Sequence, residues 1–349
     1  MKKPIRVLAT GISGVNEKEY QENLRIYGEP QKKNIKNFNV GDLMYAHADM
    51  VGRNLSEVKT NILNVYPDER LAWRSAVLKG ILDELSVSKN LDAALVNVHG
   101  WFINKEIYQI AVDPYLREYS ADMYVTFIDH FGRILDRLNA REQWQDEHLN
   151  EEKVLKWQNA EVELTMFLAK LMRRPFFAVP TAQPALTLYR LLFQPEYEPI
   201  YAAMPISFFK APEQQARVDT FIGKMNPYFT VFDPRSVEAV GAMSAADFCD
   251  VSKRTIAYHI VHRDLFWLIN QSKKIIAYWP EGAHSTGMDR EILQAFYKGS
   301  DVWVIYLGDK ASPFVPFHST KIFRSEDEFV EYLEKRYPER KAAAQLIKG

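Results

Sequence analysis

Residues 274–307 read KIIAYWPEGAHSTGMDREILQAFYKGSDVWVIYL, and they decide the fold. Residues 274–278 form an apolar, β-branched run, which predicts a buried strand. A polar, glycine-containing loop follows. Residues 289–298 read as a helix and residues 302–307 as a second buried strand. Strands apolar on both faces and joined through a helix belong to a parallel sheet covered on both sides.

The alternation continues outward. Upstream, residues 200–204 and 229–232 read as strands, residues 212–225 as a helix, and residues 245–268 as mostly helical. Still further upstream, residues 5–10, 91–98 and 123–128 are buried strands. Helical patterns separate them: one from about Glu17, then residues 69–85, 131–138 and 151–172. Between these series the pattern is lost. Pro180, Pro184, Pro195 and Pro199 punctuate it, so a linker is expected there, with a short helix at residues 185–193. The expected organisation is therefore two doubly wound parallel α/β domains, residues 1–178 and 199–349, joined by residues 179–198. A length of 349 residues agrees, since domains run to roughly 100–200 residues.

Composition narrows the function classes. Hydrophobic residues make up 47% and charged residues 26%, a globular balance. A net charge of −1 gives no global case for nucleic acid or anionic membrane as partner. The basic residues from Lys335 to Lys348 alternate with Glu and Ala and read as a solvated helix and frayed tail. The single cysteine, Cys249, excludes an internal disulfide framework and a thiolate zinc cluster. No metal or cofactor is expected. No signal-peptide core and no run of 18 apolar residues occurs, so a cytoplasmic protein without a membrane span is expected.

Three pieces of the second series carry chemistry. Tyr201-Ala202-Ala203-Met204-Pro205-Ile206-Ser207 closes its first strand. Arg263-Asp264-Leu265-Phe266-Trp267-Leu268 lies on the helix before the strand at 274–278. Ser285-Thr286-Gly287-Met288-Asp289-Arg290-Glu291 follows that strand. In open α/β sheets, ligands bind at the carboxyl ends of strands, where the first and third pieces sit. A carboxylate there can stabilise or bond to an oxocarbenium-like sugar centre. A second carboxylate of raised pKa can protonate a leaving base, and a phenol can orient the first. Glu291, Asp264 and Tyr201 are the candidates for these three roles. Singly, each has a bland reading. A Glu in the first turn of a helix complements the dipole, Asp264 could simply pair with Arg263, and Asp289 is a rival as helix cap. Phe208, Phe209, Phe266 and Trp267 are core by default, although one could stack on a base.

Together, the three pieces resemble the nucleoside 2-deoxyribosyltransferase superfamily over about residues 199–310. Its members carry an Asp on the helix preceding the catalytic Glu, and a G-x-x-x-E motif whose Glu attacks C1′ of the sugar. Here Gly287 precedes Glu291 by four positions and Asp264 precedes it by 27. Ser285 stands where the transferases usually carry an Asp. Ser285-Thr286-Gly287, with Arg263-Asp264-Leu265-Phe266-Trp267-Leu268, looks like the branch that hydrolyses deoxynucleoside 5′-monophosphates. The resemblance implies a nucleotide or nucleoside substrate. It also implies substrate contacts from Ser285, Thr286, Gly287 and Arg263, and a homo-oligomer. His284, beside them in sequence, is a further candidate to contact phosphate or base, against the bland reading of a loop histidine. Deoxyribosyl transfer between bases is the alternative, and a non-catalytic nucleotide sensor or interaction protein is the rival from another class.

The first series resembles the archaeal-type adenylate kinases of the P-loop kinase superfamily over about residues 4–178. Their phosphate loop reads G-I-P-G-V-G-K-T-T. This chain reads Gly11-Ile12-Ser13-Gly14-Val15-Asn16-Glu17-Lys18-Glu19. Asn39-Val40-Gly41-Asp42-Leu43-Met44 is similar to that family's N-x-G-x-x-M segment, and Val96-Asn97-Val98-His99 falls where it has D-T-H. Arg133, Arg137 and Arg141 match its arginine-rich lid. The loop lysine, however, is replaced by Glu17, the magnesium hydroxyl by Lys18 and the strand-end carboxylate by Asn97. A kinase lacking its cation clamp loses most of its transition-state stabilisation. Gly11, Ser13, Gly14 and Lys18 therefore mark a degenerate phosphate loop. The expected role of this half is a scaffold, a surface for a protein partner or a nucleotide sensor.

Overall fold

The computed structural model describes residues 3–340 except 56, 57, 59–61, 63, 64, 105, 106, 112–114, 210, 238–243, 245, 282 and 284. The chain divides into two compact units, residues 1–192 and 193–349. Each is an α/β unit built on a five-stranded parallel sheet.

In the first unit the strands are β1 (Ile5–Thr10), β2 (Ile35–Asn39), β3 (Ala93–Val98), β6 (Met123–Ile128) and β7 (Phe176–Pro180). Their order is β2-β3-β1-β6-β7. β3 and β6 are buried at every position, as their largely apolar runs, broken only by Asn97 and Thr126, lead one to expect. Leu8, Ala94 and Val96 pack under Trp73, Leu78, Ile81 and Leu85 of the helix Pro67–Val87. β4 (Trp101–Asn104) and β5 (Ile107–Ile110) pair as a separate antiparallel ribbon.

The second unit orders its strands β12-β11-β10-β8-β9. These are β8 (Pro199–Ala203), β9 (Thr230–Phe232), β10 (Lys274–Trp279), β11 (Asp301–Tyr306) and β12 (Lys321–Phe323). Ile200, Ala202, Ile276 and Ile305 form one face of a core closed by Phe221, Phe229, Phe323, Phe329 and Leu333.

Several local expectations change. The region expected as a linker, residues 179–198, begins inside β7, which pairs in register with β6 from Tyr124↔Phe176 to Ile128↔Pro180. Pro180 is tolerated because it closes the last strand of the sheet, where one side needs no donor. The helix carrying Glu291 starts at Thr286, three residues before its expected start. The tail is not wholly solvated. Arg340 is buried, its guanidinium donating to Tyr228 O at 2.6 Å and Glu196 O at 2.8 Å. Its planar group lies over the Tyr197 ring, 4.4 Å from the centroid. A guanidinium can be buried this way because two carbonyls and an aromatic face replace its water. Among the described residues, no helix is long and apolar enough to cross a membrane.

Candidate active site

In the second sheet β8 lies between β9 and β10, so the chain leaves β8 toward one edge and β10 toward the other. Connections diverging from neighbouring strands open a crevice at their carboxyl ends, the usual place for a ligand in such sheets. Tyr201 lies on β8 and is fully buried. Glu291 lies on the helix Thr286–Lys298 that follows β10. The Tyr201 phenol donates to Glu291 Oε1 at 2.7 Å, across 90 residues of sequence.

The register of the helix separates the readings of its acidic residues. Ser285 is the N-cap, its hydroxyl oxygen accepting from Met288 N–H at 3.2 Å. Asp289 is therefore in the first turn and is not the cap. Glu291 is in the second turn, beyond the first-turn range over which the helix dipole acts strongly. The expectation of a first-turn Glu is thus corrected, and with it the bland dipole reading loses its basis.

Thr286 and Gly287 are exposed at the start of this helix. A Cβ added to Gly287 would meet only Ser285 Oγ, at 3.7 Å, and its φ is not in the left-handed region. The folded chain itself therefore does not require glycine there. His284 lies outside the described residues.

Asp264 sits in a π-helical turn, Arg263–Leu268, continuous with the helices on either side. The N–H of Ile269 reaches back five residues to Asp264 O. Such widened turns reposition side chains and recur at functional sites. The turn packs against the helix carrying Glu291. Asp264 is buried, and burial raises its carboxyl above the ordinary Asp range, with Arg263 partly opposing the rise. Arg263 is itself buried; its Nε donates to Asp264 Oδ1 at 2.9 Å and its Nη1 to Val237 O at 3.0 Å. It orients Asp264 and a loop carbonyl. Of the four aromatic residues, Phe209 and Trp267 are core, as expected by default. Phe208 and Phe266 are partly exposed, and Phe208 lies in the short turn Ile206–Phe208 after β8.

In the first unit, the loop between β1 and the helix Glu17–Gly28 keeps its glycines for packing. A Cβ at Gly11 would meet Val15 Cγ1 at 2.9 Å; Gly14 has φ +83° and abuts Leu138. Ser13 lines a cavity beside this loop. Lys18 does not reach over the loop but pairs with Asp42 at 2.6 Å. Glu17, in the lysine's place, accepts from Asn97 Nδ2 at 3.2 Å. Two of the three arginines matched to the kinase lid are engaged elsewhere. Arg133 and Arg137 both bind the buried Asp129 carboxylate, and Arg137 also donates to Gly14 O. Among the described residues no group of three or more His, Cys, Asp and Glu is placed to hold a metal ion.

No protein-family model matches the chain, and no curated protein matches it in sequence. Among solved structures, the chain is similar to the CMP N-glycosidase BcmB of Clostridium botulinum. Identity is 17% and the TM-score 0.24, over 39% of this chain and 98% of that one. A likeness of that size leaves the function to be argued from the geometry of the site.

Proposed function

We propose that the second unit breaks the N-glycosidic bond of a nucleoside 5′-monophosphate, with Glu291 as nucleophile. The observation that carries this reading is the Tyr201–Glu291 hydrogen bond at the crevice between β8 and β10. A phenol buried in a strand and aimed at a carboxylate holds that carboxylate in one orientation, as an in-line attack needs. Glu291 attacks C1′. The C1′–N bond breaks, and its electron pair leaves with the base. The base takes its proton from the buried Asp264, whose carboxyl is raised above the ordinary Asp range by burial. Water then attacks C1′ of the glycosyl-enzyme, returns its proton to Asp264, and frees Glu291 and the sugar phosphate.

The helix start suits the 5′-phosphate. The exposed N–H groups of Thr286 and Gly287 and the Ser285 hydroxyl are donors at the positive end of a helix dipole. The hydroxyl accepts from Met288 N–H and keeps its own hydrogen for an anion. Phe208, partly exposed in the turn just after β8, is the ring that would stack on the base.

The test is base release by the full-length protein from ribo- and deoxynucleoside monophosphates, nucleosides and NAD, with and without an acceptor base, followed by chromatography. Release from a monophosphate that falls at least about 10³-fold in Glu291→Ala is the expected result. Product formed only with an acceptor base would mark a transferase. Release unaffected by Glu291→Ala would overturn the assignment.

A further inference from the structure

A cavity of about 470 Å³ opens in the first unit at the carboxyl ends of β1 and β3. That volume suits a small ligand. The proposed glycosidase site does not use it, and the inference here is independent of that reading. The chain leaves β1 toward β2 and β3 toward β6, so each connection passes the neighbouring strand, and the cavity lies at the carboxyl ends of these central strands, the usual place for a ligand in such sheets.

The polarity of the cavity is the reverse of a phosphate site. Lys18, Arg74 and Arg141 line it, and so do Glu17, Asp42 and Glu147, which cancels any net positive charge. Lys18 is already paired with Asp42. Where a phosphate loop presents donors, this floor presents acceptors. The Glu17 carboxylate can only accept, so it fixes the Asn97 amide with Nδ2 toward Glu17. Asn97 Oδ1 is then left buried without a donor, on a residue only 6% exposed. His99 Nδ1 lies 2.6 Å from Gly11 O, which only accepts, so Nδ1 carries the hydrogen. Burial lowers the His99 pKa and so favours the neutral ring, in which Nε2 is an acceptor. The same cavity holds one orphan of the opposite kind. Trp144 Nε1 is a buried donor without an acceptor, on a residue 8% exposed. Buried polar atoms without partners are rare, and two on one cavity point to a ligand that satisfies both. Tyr45, Phe102 and Trp144 add aromatic surface.

We propose that this cavity binds an amino-bearing nucleobase of the adenine or cytosine type, with its amino group on Asn97 Oδ1 and Glu17 and a ring nitrogen toward Trp144 Nε1. Such an edge offers adjacent donor and acceptor atoms, while the flat ring matches the aromatic surface. A triphosphate would place its anionic end against Glu17.

The experiment is isothermal titration calorimetry on the full-length protein with adenine, cytosine, hypoxanthine, uracil and magnesium–ATP. Adenine or cytosine is expected to bind at least about tenfold more tightly than its oxo counterpart, because a site built for an amino group rejects a carbonyl there. Asn97→Leu should weaken that binding at least about tenfold, the cost of one lost hydrogen bond in a closed site. Glu17→Gln, at a half-exposed position that tolerates exchange, should weaken it in the same direction and serves if Asn97→Leu fails to fold. Binding unchanged by either variant would place the base elsewhere and overturn the assignment. So would equal affinity for amino and oxo bases, saturable binding of magnesium–ATP alone, or no binding at all.

Discussion

Replacing Tyr201 by Phe removes one oxygen and leaves the ring in its buried slot. The lost interaction is a 2.7 Å hydrogen bond from a phenol to Glu291 Oε1. Hydrogen bonds to charged groups are worth about 1.5–3 kcal/mol. At about 1.4 kcal/mol per tenfold in rate, the full loss corresponds to roughly 10- to 150-fold. Only the part felt in the transition state lowers kcat. In the proposed mechanism that part is the larger one, because the bond aims the attacking oxygen and touches no substrate atom. We therefore expect Tyr201→Phe to lower kcat for base release about 10- to 100-fold, with KM changed by less than about threefold. Steady-state kinetics on the best monophosphate, with a circular-dichroism melt to confirm folding, supplies the measurement. A folded Tyr201→Phe protein with kcat within about twofold of the parent would refute the positioning role. If Glu291→Ala were inactive in the same assay, the nucleophile would stand and Tyr201 would revert to a core residue.

Two further outcomes follow from neighbouring geometry. Ser285→Ala should cost about 1 kcal/mol of stability through the lost N-cap, and should raise KM for monophosphates more than for nucleosides; equal KM changes for both would remove Ser285 from phosphate recognition. Glu161, on the helix Glu151–Met172, is fully buried, and its two oxygens accept from Gly100 N–H at 2.7 Å and Trp101 N–H at 2.9 Å. Burial pushes its carboxyl up to about 7 from 4.5, against the lowering effect of those donors. The folded value is above the unfolded one, so its contribution is fully present below about pH 4.5 and is lost as pH rises through 7. At 1.36 kcal/mol per unit the swing is about 3 kcal/mol. Urea melts at pH 5 and 8 should show that difference between the parent and Glu161→Gln, and parallel pH profiles would contradict it.

Much of the fold was legible because it is locally encoded. β1, β6 and the helices Pro212–Met225 and Glu151–Met172 fall where their apolar runs and periodicity predict. β2 was not legible: in Ile35–Asn39 the consecutive polar residues Lys36 and Asn37 break both an apolar run and a strict alternation. β7 was hidden by Pro180, which reads as punctuation until the strand's place at the sheet edge is known. The hairpin of β4 and β5 carries no glycine turn signal. At the candidate site, residue types and spacing singled out Tyr201, Asp264 and Glu291. The π-helical turn under Asp264 was invisible, because a widened turn leaves no mark on a helical pattern. The acceptor floor of the first unit was half visible. Glu17 and Asn97 were recognised as departures from a phosphate loop, but not as partners of each other.

The sequence by itself determined that this protein is two parallel α/β units, because strands buried on both faces must be nearly continuous in apolar residues and their crossovers must be helical. It also determined which residue types are available for chemistry. Tertiary structure alone decided what those residues do. Tyr201 meets Glu291 across 90 positions, and Asn97 meets Glu17 across 80. Lys18 turns to Asp42 across 24. Each pairing depends on strand order and helix register, and hydrogen bonds of about 3 Å depend on both at a precision that no local pattern encodes.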